Sequence, residues 1–82
     1  MTEAEIYVQL TELFHAIFNR DDINLTSSTT ARDIAGWDSF KQIDIIVAVE
    51  QHFNLKFRIR EVDALHSVGD LVIAISRKLG NA

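Results

Sequence analysis

The 82-residue chain has no cysteine and no proline, and only three glycines and one tryptophan. Without cysteine there can be no disulfide framework, thiolate nucleophile or Cys-rich zinc site, so packing alone must hold the fold, as suits a reducing compartment. Without proline no rigid linker divides the chain, and neither an internal repeat nor a low-complexity stretch is present. Positive charge is scarce: eight Lys and Arg stand against twelve Asp and Glu, a formal net charge of −4. A generic nucleic-acid binder gains affinity by neutralising phosphates, so this balance argues against a nucleic-acid partner. Long apolar runs are also missing, none approaching the roughly 18 residues of a membrane span. Met1-Thr2-Glu3-Ala4-Glu5 is negative where a secretory signal is positive. These absences lead us to expect one domain over residues 1–82, cytoplasmic and without stable membrane insertion.

What is present is a patterned apolar fraction, 48% of residues against 24% charged. Ile6, Leu10, Leu13, Phe14 and Ile17 recur at three- and four-residue spacing, which predicts a helix from about residue 3 to Phe18, opened by a Thr2/Glu5 capping box. From Asn19 to Trp37 the pattern stops, and Thr26-Ser27-Ser28-Thr29-Thr30 prefer bonds to nearby backbone over helix. A loop of this length in a small domain is either functional or pinned down, here by Leu25, Ile34, Ala35 and Trp37. Phe40, Ile43, Ile46, Val47, Val49 and Phe53 predict a second helix, with Asp38 as its N-cap. Residues 54 to 66 read as an extended segment with a short helical turn near Arg60 to Ala64. Ser67 and Asp70 form a second capping box before Val68, Leu71, Val72, Ile75 and Leu79, with Arg77 and Lys78 suited to the helix end and Gly80 as the stop. The fold class expected is all-α: a small irregular four-helix bundle of three main helices and one short one.

Ser39 is the residue that stands out. It follows an N-cap at the entrance to a helix, beside a polar loop that cannot easily cover it. A phosphoester there would lie near unpaired backbone N–H groups and the positive end of the helix dipole. Taken alone, local physics favours the simpler reading, a serine that merely starts a helix.

Gly36-Trp37-Asp38-Ser39-Phe40, followed by Ile43, Asp44, Ile46, Glu50 and Phe53, resembles the attachment region of acyl carrier proteins. Ser67-Val68-Gly69-Asp70-Leu71 is similar to the opening of that family's fourth helix, and the likeness spans essentially the whole chain. The resemblance implies a carrier that is not an enzyme. Ser39 would bear 4′-phosphopantetheine, attached from coenzyme A by a phosphopantetheinyl transferase, with Asp38 and Phe40 as its neighbours in the motif. The thiol of the arm would hold acyl groups as thioesters for loading and transfer enzymes of ligase, ketosynthase or acyltransferase type. Candidate walls for the acyl chain are Phe40, Ile43, Val47, Ile59, Val62 and Leu65, although for each taken singly an ordinary core residue is the favoured reading.

The chain departs from the family pattern in ways that bear on partners. Phe40 replaces the usual leucine after the serine. Asp44 and Glu50 match acidic docking positions, but Lys41, Gln51 and His52 dilute the charge, and Lys56, Arg58 and Arg60 make the third segment basic. Lys41, Asp44, Glu50, Arg58 and Arg60 are therefore the candidate docking residues. Because charge complementarity sets partner choice, a specialised fatty-acid, lipid or polyketide-type pathway is expected, with the carrier a monomer.

Other constellations fit less well. Asp22, Asn24, Thr26 and Asp33 have calcium-loop spacing, but Ser27 stands where that loop needs glycine. His15, His52 and His66 share no metal-binding spacing, so no metal is expected. A serine hydrolase lacks its Gly-x-Ser-x-Gly turn, and His52 lies too far along the same helix to serve Ser39. Two readings remain beside the acyl carrier: a peptidyl or aryl carrier, and an unmodified helical interaction module.

Overall fold

Helix α1 covers Glu3–Phe18 in the computed structural model, which describes residues 1–80. Its capping box forms as expected: the Glu5 amide donates to Thr2 Oγ1 at 3.1 Å and the Thr2 amide to Glu5 Oε1 at 2.8 Å. Helices α2 (Ser39–Phe53), α3 (Ile59–Asp63) and α4 (Val68–Lys78) follow, with a single 3₁₀ turn at Ala31–Asp33. Among the described residues every regular element is helical. Both long helices end on an asparagine in the left-handed region, Asn19 at φ 52° and Asn54 at φ 55°, so neither needs a glycine to stop.

The core is a three-helix contact centred on α1, which packs against both α2 and α4. Ile6, Leu10 and Phe14 of α1 meet Ile45 and Val49 of α2 and Val68, Val72 and Ile75 of α4, all essentially sealed from solvent. The apolar stripe expected for α2 turns inward only in part: Val49 and Phe53 do, joined by Ile45, which lay outside it, whereas Phe40, Ile43 and Val47 face solvent and Ile46 is half-buried. A helix that is apolar around most of its circumference offers periodicity two ways to point, and packing on α1 selects one.

The long loop is held by more than its expected pins. Ile34 is buried and Leu25 and Trp37 are half-buried, but Ala35 is exposed, and Ile23 takes the place it was expected to fill. His15 Nε2 donates to the Ile23 carbonyl at 3.0 Å, and the buried Thr29 hydroxyl accepts from the Thr26 amide at 2.8 Å. The loop also caps α4. The Val68 amide donates to the Thr29 carbonyl at 2.8 Å and the Gly69 amide to the Ser27 carbonyl at 3.0 Å, so two donors that a helix start leaves without partners are satisfied by loop backbone. Gly69 is there for space: a Cβ would sit 2.6 Å from the Ser27 carbonyl oxygen.

The second capping box forms by half. Ser67 Oγ accepts from the Asp70 amide at 3.2 Å, but the Asp70 carboxylate reaches one residue further back, to the His66 amide at 3.0 Å. Helix α3 has no buried residue and is tethered at its flanks. Glu50 Oε2 accepts from the Phe57 amide at 2.8 Å, and Lys78 bridges to Glu61 at 2.8 Å while lying over the Phe57 ring. After Lys78, Gly80 turns the chain at φ +84°, the expected stop.

Candidate functional site

The start of α2 is built to fix the backbone and leave one hydroxyl out. Gly36, at φ +90°, makes the turn into Trp37, whose amide donates to the Ile34 carbonyl at 3.2 Å. The indole stacks edge-on against Phe14 with centroids 5.3 Å apart and lies 6.3 Å from Phe18. Asp38 is the N-cap: its Oδ1 accepts from the Lys41 amide at 2.9 Å. Ser39 then opens the helix, exposed, with no hydrogen bond to its hydroxyl among the described residues. The Ser39 and Phe40 amides likewise have no partner there, because Asp38 takes only the third donor.

Two further contacts lock this entrance, and the sequence reading assigned neither. Trp37 Nε1 donates to Gln42 Oε1 at 2.8 Å. These residues occupy the positions on either side of a helix start that commonly hold a hydrophobic staple; here an apolar body is joined to a polar tip instead. Lys41 Nζ donates to the Ile17 carbonyl at 3.1 Å and lies 5.8 Å from the centre of the Phe18 ring. It neutralises a carbonyl in the last turn of α1, as a cation at a helix C-terminus does. The first turn of α2 is thereby tied to the last turn of α1.

Beside this entrance lies an apolar groove of about 240 Å³ between α2 and α3, walled by Ile43, Ile46 and Val47 on one side and Phe57, Ile59 and Val62 on the other. Four of the six candidate acyl-chain walls meet here. Phe40 and Leu65 lie outside it. Phe40 is 78% exposed on the outer face of α2, and Leu65, past the end of α3, lines a separate small cavity with Trp37 and Leu71. Gln42 and Asp63 are the polar groups on the groove's lining.

Of the candidate docking residues, Asp44, Arg58 and Arg60 are exposed and have no ion pair or hydrogen bond from their side chains among the described residues, as is Lys56. Lys41 and Glu50 are committed internally, one to α1 and the other to the Phe57 amide. On the flank of this face, the Lys78 ammonium and the Arg58 amide hold the Glu61 carboxyl below its ordinary value near 4.5. Ile59, 83% exposed, projects between Arg58 and Arg60 in sequence.

The remaining acidic and histidine side chains assemble no chemistry. Asp22 pairs with Arg20 at 2.9 Å and Asp33 caps the Thr30 amide at 2.8 Å, so the calcium-loop spacing is used for local bonds. Among the described residues no group of three or more His, Cys, Asp or Glu could hold a metal ion. His52 bonds Gln9 Oε1 at 2.7 Å and His15 the Ile23 carbonyl, leaving Ser39 with no hydrogen-bonded base.

Comparison with known proteins gives a consistent picture. A family model described as a phosphopantetheine attachment site matches residues 8–75. The chain is similar to the acyl carrier protein of an Exiguobacterium species, 27% identical over 79 residues that cover 96% of this chain and all of that one. It is similar to the acyl carrier protein of Thermotoga maritima, 26% identical over 76 residues covering 93% and 94%. The solution structure of a holo acyl carrier protein from Geobacter metallireducens superposes with a TM-score of 0.86 at 39% identity, covering 90% of this chain and 85% of that one.

Proposed function

The chain belongs to the acyl carrier protein family, and from that premise we propose that Ser39 is the residue that carries its prosthetic group. That group is 4′-phosphopantetheine, and the protein is a carrier, not an enzyme. Bound, it supplies the thiol, absent from a cysteine-free chain, on which acyl groups are held as thioesters. The observation that carries the assignment is the exposed, unbonded Ser39 hydroxyl at the first position of a firmly anchored helix, with the Ser39 and Phe40 amides unpaired. A phosphodiester on that oxygen fits the residues present: it has open solvent around it and free amide donors at the positive end of α2.

Acyl carrier proteins work with phosphopantetheinyl transferases and acyl-handling enzymes. For this chain we read the partners as ligase, ketosynthase or acyltransferase types of a specialised fatty-acid, lipid or polyketide pathway. They meet a cytoplasmic monomer whose residues 1–82 form one domain. Phe40, Ile43, Val47 and Ile59 form the apolar part of the docking face, and Asp44, Arg58 and Arg60 supply its charges. With Lys56 beside them the cations outnumber the acid, so the fitting partner surface is apolar with an acidic rim. The groove between α2 and α3 is the shelter offered to an acyl chain. Among the described residues no helix is long and apolar enough to cross a membrane.

The deciding experiment is intact mass after incubation with coenzyme A and a broad-specificity phosphopantetheinyl transferase, with peptide mapping. One phosphopantetheine on Ser39, and none on a folded Ser39→Ala variant, is the expected result. No adduct on the folded wild-type chain, or an adduct that persists in Ser39→Ala, overturns the assignment.

A further inference from the structure

We propose that Gln42 is a positioning residue for the prosthetic arm, its side-chain amide donating to a carbonyl oxygen of the arm at the mouth of the α2/α3 groove. The proposal rests on Ser39 bearing that arm. An indole N–H can only donate, so the Gln42 atom facing Trp37 at 2.8 Å must be its carbonyl oxygen. That bond fixes the carboxamide plane and leaves the NH₂ group without a partner among the described residues. Gln42 is half-buried and lines both the apolar groove and the small cavity behind it, so its free donor stands on the ridge between the two.

Position and chemistry then agree. Gln42 is three residues past Ser39, on the same face of α2 and about 4.5 Å further along the axis, so a chain leaving Ser39 toward the groove passes it first. A plain hydrocarbon entering an apolar groove has no use for a hydrogen-bond donor at its rim. The pantetheine arm does, because its amide groups lose water there and need partners. The opposite wall offers the complement: Asp63, at the end of α3, is exposed, unpaired and able to accept from an amide N–H. One donor and one acceptor across a narrow apolar slot is a pattern that fixes the orientation of an amide.

The test uses ¹⁵N-labelled full-length chain before and after loading with phosphopantetheine, with mass spectrometry to locate the arm. The chain has three glutamines, Gln9, Gln42 and Gln51, which makes the other two internal controls. On conversion to the holo form the Gln42 side-chain NH₂ resonances should shift and show contacts to arm protons, while those of Gln9 and Gln51 stay in place. Gln42→Glu keeps an oxygen for the Trp37 indole but removes the donor; its indole N–H resonance should stay close to wild type while the arm's contacts to α2 are lost. Unchanged Gln42 resonances with the arm present on Ser39, or arm contacts that survive in Gln42→Glu, overturn the proposal alone. An arm found elsewhere than Ser39 overturns the underlying assignment, and this proposal with it.

Discussion

Replacing Gly69 by alanine separates two opposing physical effects. Helix propensity alone favours the change by at most about 1 kcal/mol, since alanine is the best helix former and glycine among the worst. Packing opposes it. The new Cβ would lie 2.6 Å from the Ser27 carbonyl oxygen and 3.1 Å from Ser27 Cα and Cβ, contacts that backbone atoms cannot relieve by rotating. The loop must back away from α4, and the buried Val68 and Gly69 amides then lose the Thr29 and Ser27 carbonyls. Each unsatisfied donor costs about 1–3 kcal/mol, so for two donors, after the propensity gain, the expected net loss is about 3 kcal/mol. For a domain of this size that lowers the thermal midpoint by roughly 12–24 °C. Thermal and urea unfolding followed by circular dichroism measure the loss, and amide exchange locates it at residues 68 and 69. A midpoint equal to or above wild type, or full protection of both amides in the variant, would refute the reasoning.

Asp38→Ala removes the acceptor for the Lys41 amide and should cost about 1 kcal/mol, with slower modification of Ser39 as the helix start frays; unfolding curves and transferase rates at wild-type values would contradict this. Lys56→Glu with Arg60→Glu should raise the KM of the cognate loading enzyme and reverse its salt dependence, leaving the thermal midpoint near wild type, because both side chains are exposed and have no ion pair or hydrogen bond among the described residues. Glu61 should titrate below 4.5 by NMR, and Lys78→Met should move it back up. The sign follows from the depressed carboxyl: its contribution is present above the ordinary value and is lost as pH falls through the folded one, so the α3 tether should loosen on the acid side.

How much of this was legible beforehand depended on whether the signal was local. Helix starts were readable because capping is a matter of three or four consecutive residues: Thr2 with Glu5, Asp38 with the Lys41 amide, and Ser67 with the Asp70 amide all formed. The α1 stripe was readable because, Val8 aside, its large apolar residues fall on one face. The inward face of α2 was not, since Phe40, Ile43 and Val47 are as apolar as Ile45 and Val49 and only contact with α1 distinguishes them. The exposure of Ser39 could be argued from its place after an N-cap. That Lys41 and Glu50 are spent on internal bonds could not, because their partners lie 24 residues earlier and seven later, in backbone the side-chain pattern does not mark. Gly69 had no role of its own in the sequence pattern; its reason is a loop carbonyl more than 40 residues away in sequence. At the groove, the apolar residues were found by type, but only the fold excludes Phe40 and Leu65 and brings Gln42 to its rim.

The coupling of α2 to α1 through Trp37 and Lys41 bears on delivery of cargo. A flexible arm searches a volume centred on its point of attachment, and the local concentration of its thiol in a partner's active site depends on where that centre lies. If the centre wandered, docking would bring the protein near the enzyme without bringing the thioester to it. On the proposed assignment the pivot at Ser39 and the α2 part of the docking face share one braced helix, so binding one determines the location of the other. Transfer then becomes an intramolecular search by a tether of fixed length, and the surface that chooses the partner also sets how often the cargo arrives.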